Sequence, residues 1–237
     1  MIETRTIEEK MGRLFSEKKT FSEHLSKWED YLLLDKYDHN CFEYSGQPSE
    51  EEFRRALRYQ KDLGVNFIKL EGDSPLADSF GLEEGVTATM VLNDCDVKWK
   101  TNNALIFETP SVTEAEEIEV KHYGSIYGED FSRRNIRRLF EKLEYHGAYL
   151  DERLVGICYS YTADGMTCID GLLVDSKYRN QYVATSLIQH ILAVYPDTKL
   201  MLHAEVDDSP KDMYLKMGFK IVDKLYEYSC TDISIIE

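Results

Sequence analysis

Ile169-Asp170-Gly171-Leu172-Leu173-Val174-Asp175-Ser176-Lys177-Tyr178-Arg179-Asn180-Gln181-Tyr182-Val183-Ala184-Thr185-Ser186-Leu187 is the stretch on which the fold turns. An apolar strand runs out, a short polar loop carries one arginine, and a helix begins. Such a junction gathers free backbone N–H groups and the positive helix end at one point, which suits an anion. Ala184, Thr185 and Ser186 are small enough to let a diphosphate approach the first turn. In an open α/β sheet a ligand binds beyond the carboxyl end of such a strand. A plain strand–loop–helix connection accounts for the same residues, so the pattern alone leaves both readings open.

Outward from this junction the chain alternates. Residues 146–150, 154–161 and 167–174 read as three antiparallel strands, with Asp151-Glu152 and Asp164-Gly165 as their turns. Downstream follow a helix over 183–194, a strand over 200–205, a helix over 210–217 and two strands, 219–222 and 225–229. Upstream, 104–108 reads as a strand, and Pro110 and Ser111 open a helix. Ser111-x-x-Glu114 and Thr113-x-x-Glu116 both fit a capping box. A second helix is predicted over 132–143, with Ile136, Leu139, Phe140 and Leu143 facing inward.

The N-terminal part echoes this order. A strand at 40–45 precedes a helix over 50–63 whose first turn holds Glu50, Glu51 and Glu52. Gly64 stops the helix, and strands follow at 65–70 and 86–92. Asp73-Ser74-Pro75 parallels Asp208-Ser209-Pro210, and Gly81-Leu82 parallels Gly218-Phe219. This suggests a shortened, degenerate internal copy. The first ~35 residues read as helices, because Phe21, Leu25, Trp28 and Leu32 recur at helical spacing. The expected architecture is mixed α/β: an N-terminal α/β domain over 1–103 and a second domain over 104–237, each a mixed sheet flanked by helices.

At this point the residues resemble a known family, the GNAT superfamily of acyl-CoA-dependent N-acyltransferases. Its central motif is Arg or Gln, two residues, Gly, one residue, then Gly or Ala; the matching positions are Arg179, Tyr182 and Ala184. Leu172 to Tyr178 is similar to the family's cofactor strand and lead-in. Asp207 to Phe219, ending Tyr214-Leu215-Lys216-Met217-Gly218-Phe219, resembles the family's second motif. The resemblance covers residues 104–230 and departs from the pattern at four places, one of them Pro210 where the family has alanine. Tyr182 stands for the central glycine, Asn180 for the glycine before it, and Asp207 for an asparagine.

The resemblance implies acetyl-CoA as acyl donor and a primary amine as acceptor. Backbone groups of Leu172, Leu173 and Val174 would pair with the pantetheine arm. The N–H groups of Gln181, Tyr182, Val183, Ala184, Thr185 and Ser186, with Arg179 beside them, would cradle the pyrophosphate. Asp207 falls at the second motif's cofactor position, and Tyr214 would protonate the leaving thiolate. Asp170, four residues before Val174 and so expected on the same face, is the preferred general base, with His203 and Glu205 as further candidates. No cysteine lies in either motif, so transfer would be direct, in a ternary complex. The alternative is a domain that keeps the fold as a non-catalytic binding or regulatory module.

Composition narrows the partners. The 237 residues carry 28 Lys plus Arg against 44 Asp plus Glu, a net charge of −16 spread over both halves. Phosphate backbones and anionic lipid should repel such a chain, so neither nucleic acid nor membrane is expected as a partner. The charge favours a cationic acceptor such as a polyamine, a lysine side chain or an aminoglycoside. Arg133, Arg134, Arg137 and Arg138 form a local basic patch, read as a solvated helix face paired with Glu129, Asp130 or Glu141. Tyr123, Tyr127, Tyr145, Tyr159 and Tyr161 could line an acceptor pocket, although such residues more often edge a core. The five cysteines lack C-x-x-C spacing, and Asp38-His39-Asn40-Cys41 lacks a further ligand, so neither disulfides nor a metal site is expected. No leader-like or membrane-spanning run is seen, and a cytoplasmic location is expected. A homo-oligomer stays open.

Overall fold

In a computed structural model the described residues are 13–33, 40–93, 97–207 and 209–236. In chain order the first elements are β1 (Glu17–Thr20), β2 (Leu25–Glu29), β3 (Phe42–Tyr44), α1 (Glu50–Asp62), β4 (Ile68–Gly72), β5 (Glu83–Leu92) and β6 (Ile106–Glu108). Then come α2 (Val112–Tyr127), α3 (Glu129–Phe140), β7 (Glu144–Leu150), β8 (Arg153–Ala163) and β9 (Met166–Val174). The last are α4 (Val183–Val194), β10 (Lys199–Glu205), α5 (Ser209–Lys216) and β11 (Lys220–Cys230). The chain forms two compact units. The first comprises Met1–Met90, Ala204–Lys216 and Ile221–Glu237; the second comprises Val91–His203 and Met217–Lys220.

The first unit holds strands in the order β1-β2-β3-β4-β11-β5. β3 and β4 are parallel, in register Phe42↔Leu70, and α1 makes the crossover between them. Phe53, Ala56, Leu57 and Gln60 form the buried stripe of α1, spaced as a helix face requires. Phe53, Ala56 and Leu57 pack with Leu25, Phe42, Ile68 and Leu70 into one core.

Two expectations fail in this unit. Residues 17–29 form a hairpin, not a helix: β1 pairs antiparallel with β2, closed by the Phe21 and Ser22 N–H groups on the Leu25 carbonyl, each 2.9 Å. β2 lies between β1 and β3 and draws its hydrogen bonds from both, so pairing overrides the fourfold apolar spacing. Leu25 and Trp28 are buried, but Leu32 is 81% exposed, so the supposed helical stripe breaks. The two closing strands are also a single strand, β11, of 11 residues. Its half 226–230 runs antiparallel to β4, Tyr226↔Gly72 to Cys230↔Ile68, and Asp223-Lys224 stays extended instead of turning.

The second unit runs β10-β9-β8-β7-β6. β9 and β10 are parallel with α4 as crossover, and the other neighbours are antiparallel. α4 covers one face, where a Cβ on Gly156 would meet Val183 and Leu187. α2 and α3 cover the other, where Phe140 stacks on Tyr145 with ring centroids 4.4 Å apart. Ser111 and Glu114 make the capping box of α2; the alternative with Thr113 is not formed. α3 begins at Glu129, after Gly128 at φ +90, and ends at Phe140, three residues earlier at each end than expected. Of its arginines, Arg134 pairs with Asp130 at 2.9 Å. Arg133 and Arg137 both reach Glu116 of α2, a buried carboxylate that helix-local spacing did not suggest.

Candidate functional site

The site grows from a defect in β9. β8 and β9 pair as Ile157↔Leu173 and then Tyr159↔Asp170, so β9 spends one extra residue there and bulges. Gly171 adopts φ +59 in the bulge, and a Cβ on it would overlap the Tyr159 ring. Pairing between β9 and β10 ends at Leu202↔Ile169. Beyond it β9 runs on to Val174 with its β10-side edge unpaired among the described residues. Leu173 is held in the β8 ladder. The Asp175 N–H also turns to β8, 2.9 Å from the Val155 carbonyl, so the Val174 peptide groups face the open edge.

The loop after β9 leads to the N-terminus of α4. Asp175 caps a short 3-10 turn, Ser176–Tyr178, accepting the Lys177 N–H at 3.0 Å. Asn180 and Tyr182 both stand at φ +61, in the left-handed region. These are the two positions at which the family resemblance calls for glycine, and the backbone there takes the form that glycine favours. Tyr182 is the N-cap of α4 and gives it no side-chain cap; no acidic residue lies in the first turn. The N–H groups of Val183, Ala184 and Thr185 have no partner inside the helix, as at any helix start. The Ser186 N–H is already spent on the Tyr182 carbonyl at 2.9 Å, so it leaves the expected cradle.

The equivalent junction in the first unit is built oppositely. α1 starts with a complete capping box of Ser49 and Glu52, with Glu50, Glu51 and Glu52 in its first turn. Glu52 also accepts hydrogen bonds from the Ser22 hydroxyl at 2.6 Å and the His24 N–H at 3.0 Å. Burial works to raise its pKa. The bonds from Ser22, Ser49 and His24 outweigh this and hold it well below the usual carboxylate range. A carboxylate of the chain itself therefore fills the anion position of α1, whereas that of α4 is open.

Sequence reasoning missed the residues that hold the open junction in place. Lys121 and His122, neighbours on α2, grip two consecutive residues at the end of β9. Lys121 Nζ lies 2.6 Å from Asp175 Oδ2, and His122 Nε2 lies 3.1 Å from the Val174 carbonyl. Lys121 lowers the Asp175 pKa. From the other direction, Lys100 Nζ sits 4.7 Å from the Tyr182 ring centroid. The Asn102 N–H bonds Ser186 Oγ at 2.9 Å. These contacts join segments 52 to 84 positions apart, so no local motif could announce them.

The candidate base is repositioned. The bulge places Asp170 on the face of Tyr159 and Leu173, under α2 and α3, and not on the face of Val174 as plain alternation required. Asp170 is exposed, and its Oδ1 accepts the Gly171 N–H at 2.6 Å. Arg179 and Gln181 are exposed in the loop, where the Gln181 side chain bonds the Lys177 carbonyl at 3.1 Å. His203 closes the second unit. Glu205, Asp207 and Tyr214 fall in the first unit, Asp207 exposed and Tyr214 buried on α5. Asp38, His39, Cys95 and Asp208 lie outside the described residues. Among the described residues no cluster of His, Cys, Asp and Glu could hold a metal ion, and no helix is long and apolar enough to cross a membrane.

Residues 112–219 match the acetyltransferase (GNAT) family. No curated protein sequence matches the chain. A functionally unknown conserved protein from Staphylococcus epidermidis shares the fold at TM-score 0.77 and 16% identity, over 92% of this chain and 95% of that one. A GCN5-related N-acetyltransferase from Kribbella flavida does so at TM-score 0.66 and 14% identity, over 96% and 95%. A tandem GNAT protein from the clavulanic acid biosynthesis pathway aligns at TM-score 0.52 and 14% identity, over 76% and 68%.

Proposed function

With residues 112–219 matching the acetyltransferase (GNAT) family, we propose that the protein transfers an acetyl group from acetyl-CoA to a primary amine. The observation that carries this reading is the uncapped α4 N-terminus. Asn180 and Tyr182 there hold left-handed backbone at a cost, beside a strand edge left unpaired. Strain of this kind persists where the surroundings enforce it, and it clusters at ligand sites. The N–H groups of 183–185, unpartnered inside the helix, with Arg179 and Lys100 as cations, fit a diphosphate. The Val174 N–H fits an extended amide-bearing arm, the Val174 carbonyl being held by His122.

In the proposed reaction the amine nitrogen attacks the thioester carbonyl carbon directly. A C–N bond forms and the C–S bond breaks. Asp170, or a water it orients, takes the proton lost by the amine, and the departing thiolate takes up a proton, a role that the family resemblance gives to the Tyr214 hydroxyl. The products are an N-acetylated amine and free CoA thiol. No covalent enzyme intermediate is formed.

Titration calorimetry of the full chain with acetyl-CoA, free CoA and ADP tests the donor site. Micromolar binding, on the order of −8 kcal/mol, is expected for acetyl-CoA. Absence of binding to all three would overturn the reading. Thiol release with a panel of primary amines then tests transfer. A Tyr214→Phe protein should bind acetyl-CoA as before and lose transfer. One observation favours a non-catalytic CoA-binding module instead: the Tyr182 side chain, 41% exposed, at the site of the family's central glycine. Binding without transfer to any amine would establish that module.

A further inference from the structure

Three strands and one helix build a corner whose polar groups have not found all their partners. Tyr145 on β7 is the cross-strand partner of Tyr159 on β8, and Tyr159 is the partner of Asp170 on β9. The three therefore form one row across the sheet, on the face that α2 and α3 cover. The rings of Tyr145 and Tyr159 lie 5.3 Å apart at 45°, and Phe140 backs Tyr145. The missing Cβ of Gly171 leaves the space that the Tyr159 ring fills. The Tyr159 hydroxyl bonds Asp170. Above the row stands Glu119, half-buried on α2 one turn past the buried Ala115.

The Tyr145 hydroxyl is the exception. The residue is 3% exposed, and its oxygen is buried without a hydrogen-bond partner among the described residues. Buried hydroxyls are nearly always bonded, so one that is not points to an absent group. Its surroundings say what group. Burial raises the Tyr145 pKa, and the charges of Glu119 and then Asp170 raise it further, so both carboxylates act at this oxygen. Two carboxylates repel an anion. A neutral apolar group would leave the hydroxyl unmet. A positively charged N–H donor satisfies the hydroxyl oxygen and balances the carboxylates, and the two phenol faces are favourable walls for it.

We propose that the Tyr145–Tyr159–Asp170–Glu119 corner binds an ammonium group of the acceptor, whose class is therefore a cationic alkylamine with no carboxylate beside its amine. This rests on the acetyltransferase reading for its place in a reaction, but the corner itself is testable without acetyl-CoA. The Tyr145 hydroxyl oxygen accepts one ammonium N–H, Asp170 and Glu119 supply the balancing charge, and the rings exclude water from one side.

The test is calorimetric or NMR titration of the full chain with n-butylamine, 1,4-diaminobutane, glycine and 1-butanol, each without donor. The two alkylamines are expected to bind, and glycine and 1-butanol to bind at least tenfold more weakly. Tyr145→Phe should weaken alkylamine binding about tenfold while leaving the acetyl-CoA Kd as it was. The same variant removes an unmet buried hydroxyl, so its Tm should rise by about 2–4 °C. Asp170→Asn should likewise weaken alkylamine binding. Equal binding of 1-butanol or glycine, unchanged alkylamine binding in Tyr145→Phe, or a fall in its Tm would each overturn the assignment, and so would no alkylamine binding at all. Alkylamine binding that depends on Tyr145 in a protein that ignores acetyl-CoA would keep the corner and sink the acetyltransferase reading. The reverse pattern would do the opposite.

Discussion

Tyr182 offers the sharpest trial of the reasoning about the open junction. Its φ of +61 and ψ of 20 put a β-carbon in left-handed backbone, a conformation that costs an L-residue about 1–2 kcal/mol and glycine little. Its ring also carries Lys100 at 4.7 Å, an exposed contact worth about 0.5–1 kcal/mol. Two replacements separate these effects. Tyr182→Ala removes the ring and keeps the backbone cost. Tyr182→Gly removes both, though glycine gives back about 0.5–1 kcal/mol through its freer unfolded chain. The glycine protein should therefore be the more stable of the two by about 0.5–1 kcal/mol, or roughly 1–4 °C in Tm by scanning calorimetry. Against the parent chain it should fall within about 1 kcal/mol, because strain relief offsets the lost Lys100 contact. Opening the backbone to a phosphate should also tighten acetyl-CoA up to about tenfold, read by titration calorimetry. An alanine protein as stable as the glycine protein would show that position 182 is not strained. Tenfold weaker binding in both variants would mean that the ring itself touches the ligand, and that the junction is not a glycine loop in disguise.

Other expectations follow from the same unit. Gly171→Ala puts a methyl into the Tyr159 ring at φ +59, so stability should drop by about 2–3 kcal/mol and Tm by roughly 5–10 °C. An unchanged urea midpoint would show that the bulge is adjustable. Asp175→Ala removes the cap on the Lys177 N–H and the Lys121 ion pair together, and should weaken acetyl-CoA by roughly fivefold, for about 1 kcal/mol. Unchanged affinity would mean that the grip of α2 does not set the loop. Burial first, and then His190, lowers the His146 pKa to about 4, where it bonds Ser160 Oγ at 2.9 Å. The folded state therefore resists a proton that the unfolded chain accepts near pH 6.5. The stability His146 contributes is complete above pH 6.5 and is lost as pH falls towards 4, amounting to about 2 kcal/mol once solvent screening is allowed for. Urea titrations at pH 8, 6 and 4.5 should show that loss, and His146→Gln should flatten it.

Much of this was readable from local chemistry, and the misreadings share a cause. α4 was expected over 183–194 and lies at Val183–Val194, because an apolar helix between a polar loop and Pro196 has little freedom in its limits. The capping box at Ser111 followed from a hydroxyl and a carboxylate three residues apart, whereas at Ser49 the sequence suggested only a helix start with an acidic first turn. Residues 17–29 misled because Phe21, Leu25 and Trp28 repeat at helical spacing while their hydrogen-bond partners lie elsewhere in the chain. β11 misled in the same way, since its partner β4 lies about 150 residues earlier and suppresses the turn that Asp223-Lys224 offers. In the site, Arg179, Gln181, Tyr182 and the small residues after them were legible as a contiguous run. The bulge was not, because one extra residue in β9 shows only against the register of β8, and it carries Asp170 to the other face. Tyr145 and Tyr159 stood out only as two of five tyrosines that could line a pocket, and Glu119, Lys121 and Lys100 were beyond reach because their roles are contacts between segments.

The two β–α junctions also argue about how a repeated fold divides its work. Both units place a helix between parallel strands, β3-α1-β4 and β9-α4-β10, so both create a helix N-terminus beyond a strand end. Such a terminus must be satisfied by something. In the first unit the something is internal: Ser49 and Glu52, with Ser22 and His24 locked onto the same carboxylate. That arrangement stabilises the helix by about 1 kcal/mol or more and removes any reason to recruit an anion. In the second unit neither a side-chain cap nor a first-turn acid is present, and two residues hold unfavourable backbone that a capped start would not need. A chain that folds one copy of the junction in the self-sufficient form has the means to fold the other the same way. The cost retained at Asn180 and Tyr182 is therefore best explained by a ligand that supplies what Glu52 supplies to α1. Grafting the first unit's solution onto the second, with Tyr182→Ser and Thr185→Glu together, should raise Tm and abolish acetyl-CoA binding in one protein. A graft that gains stability and still binds acetyl-CoA would place the phosphates elsewhere.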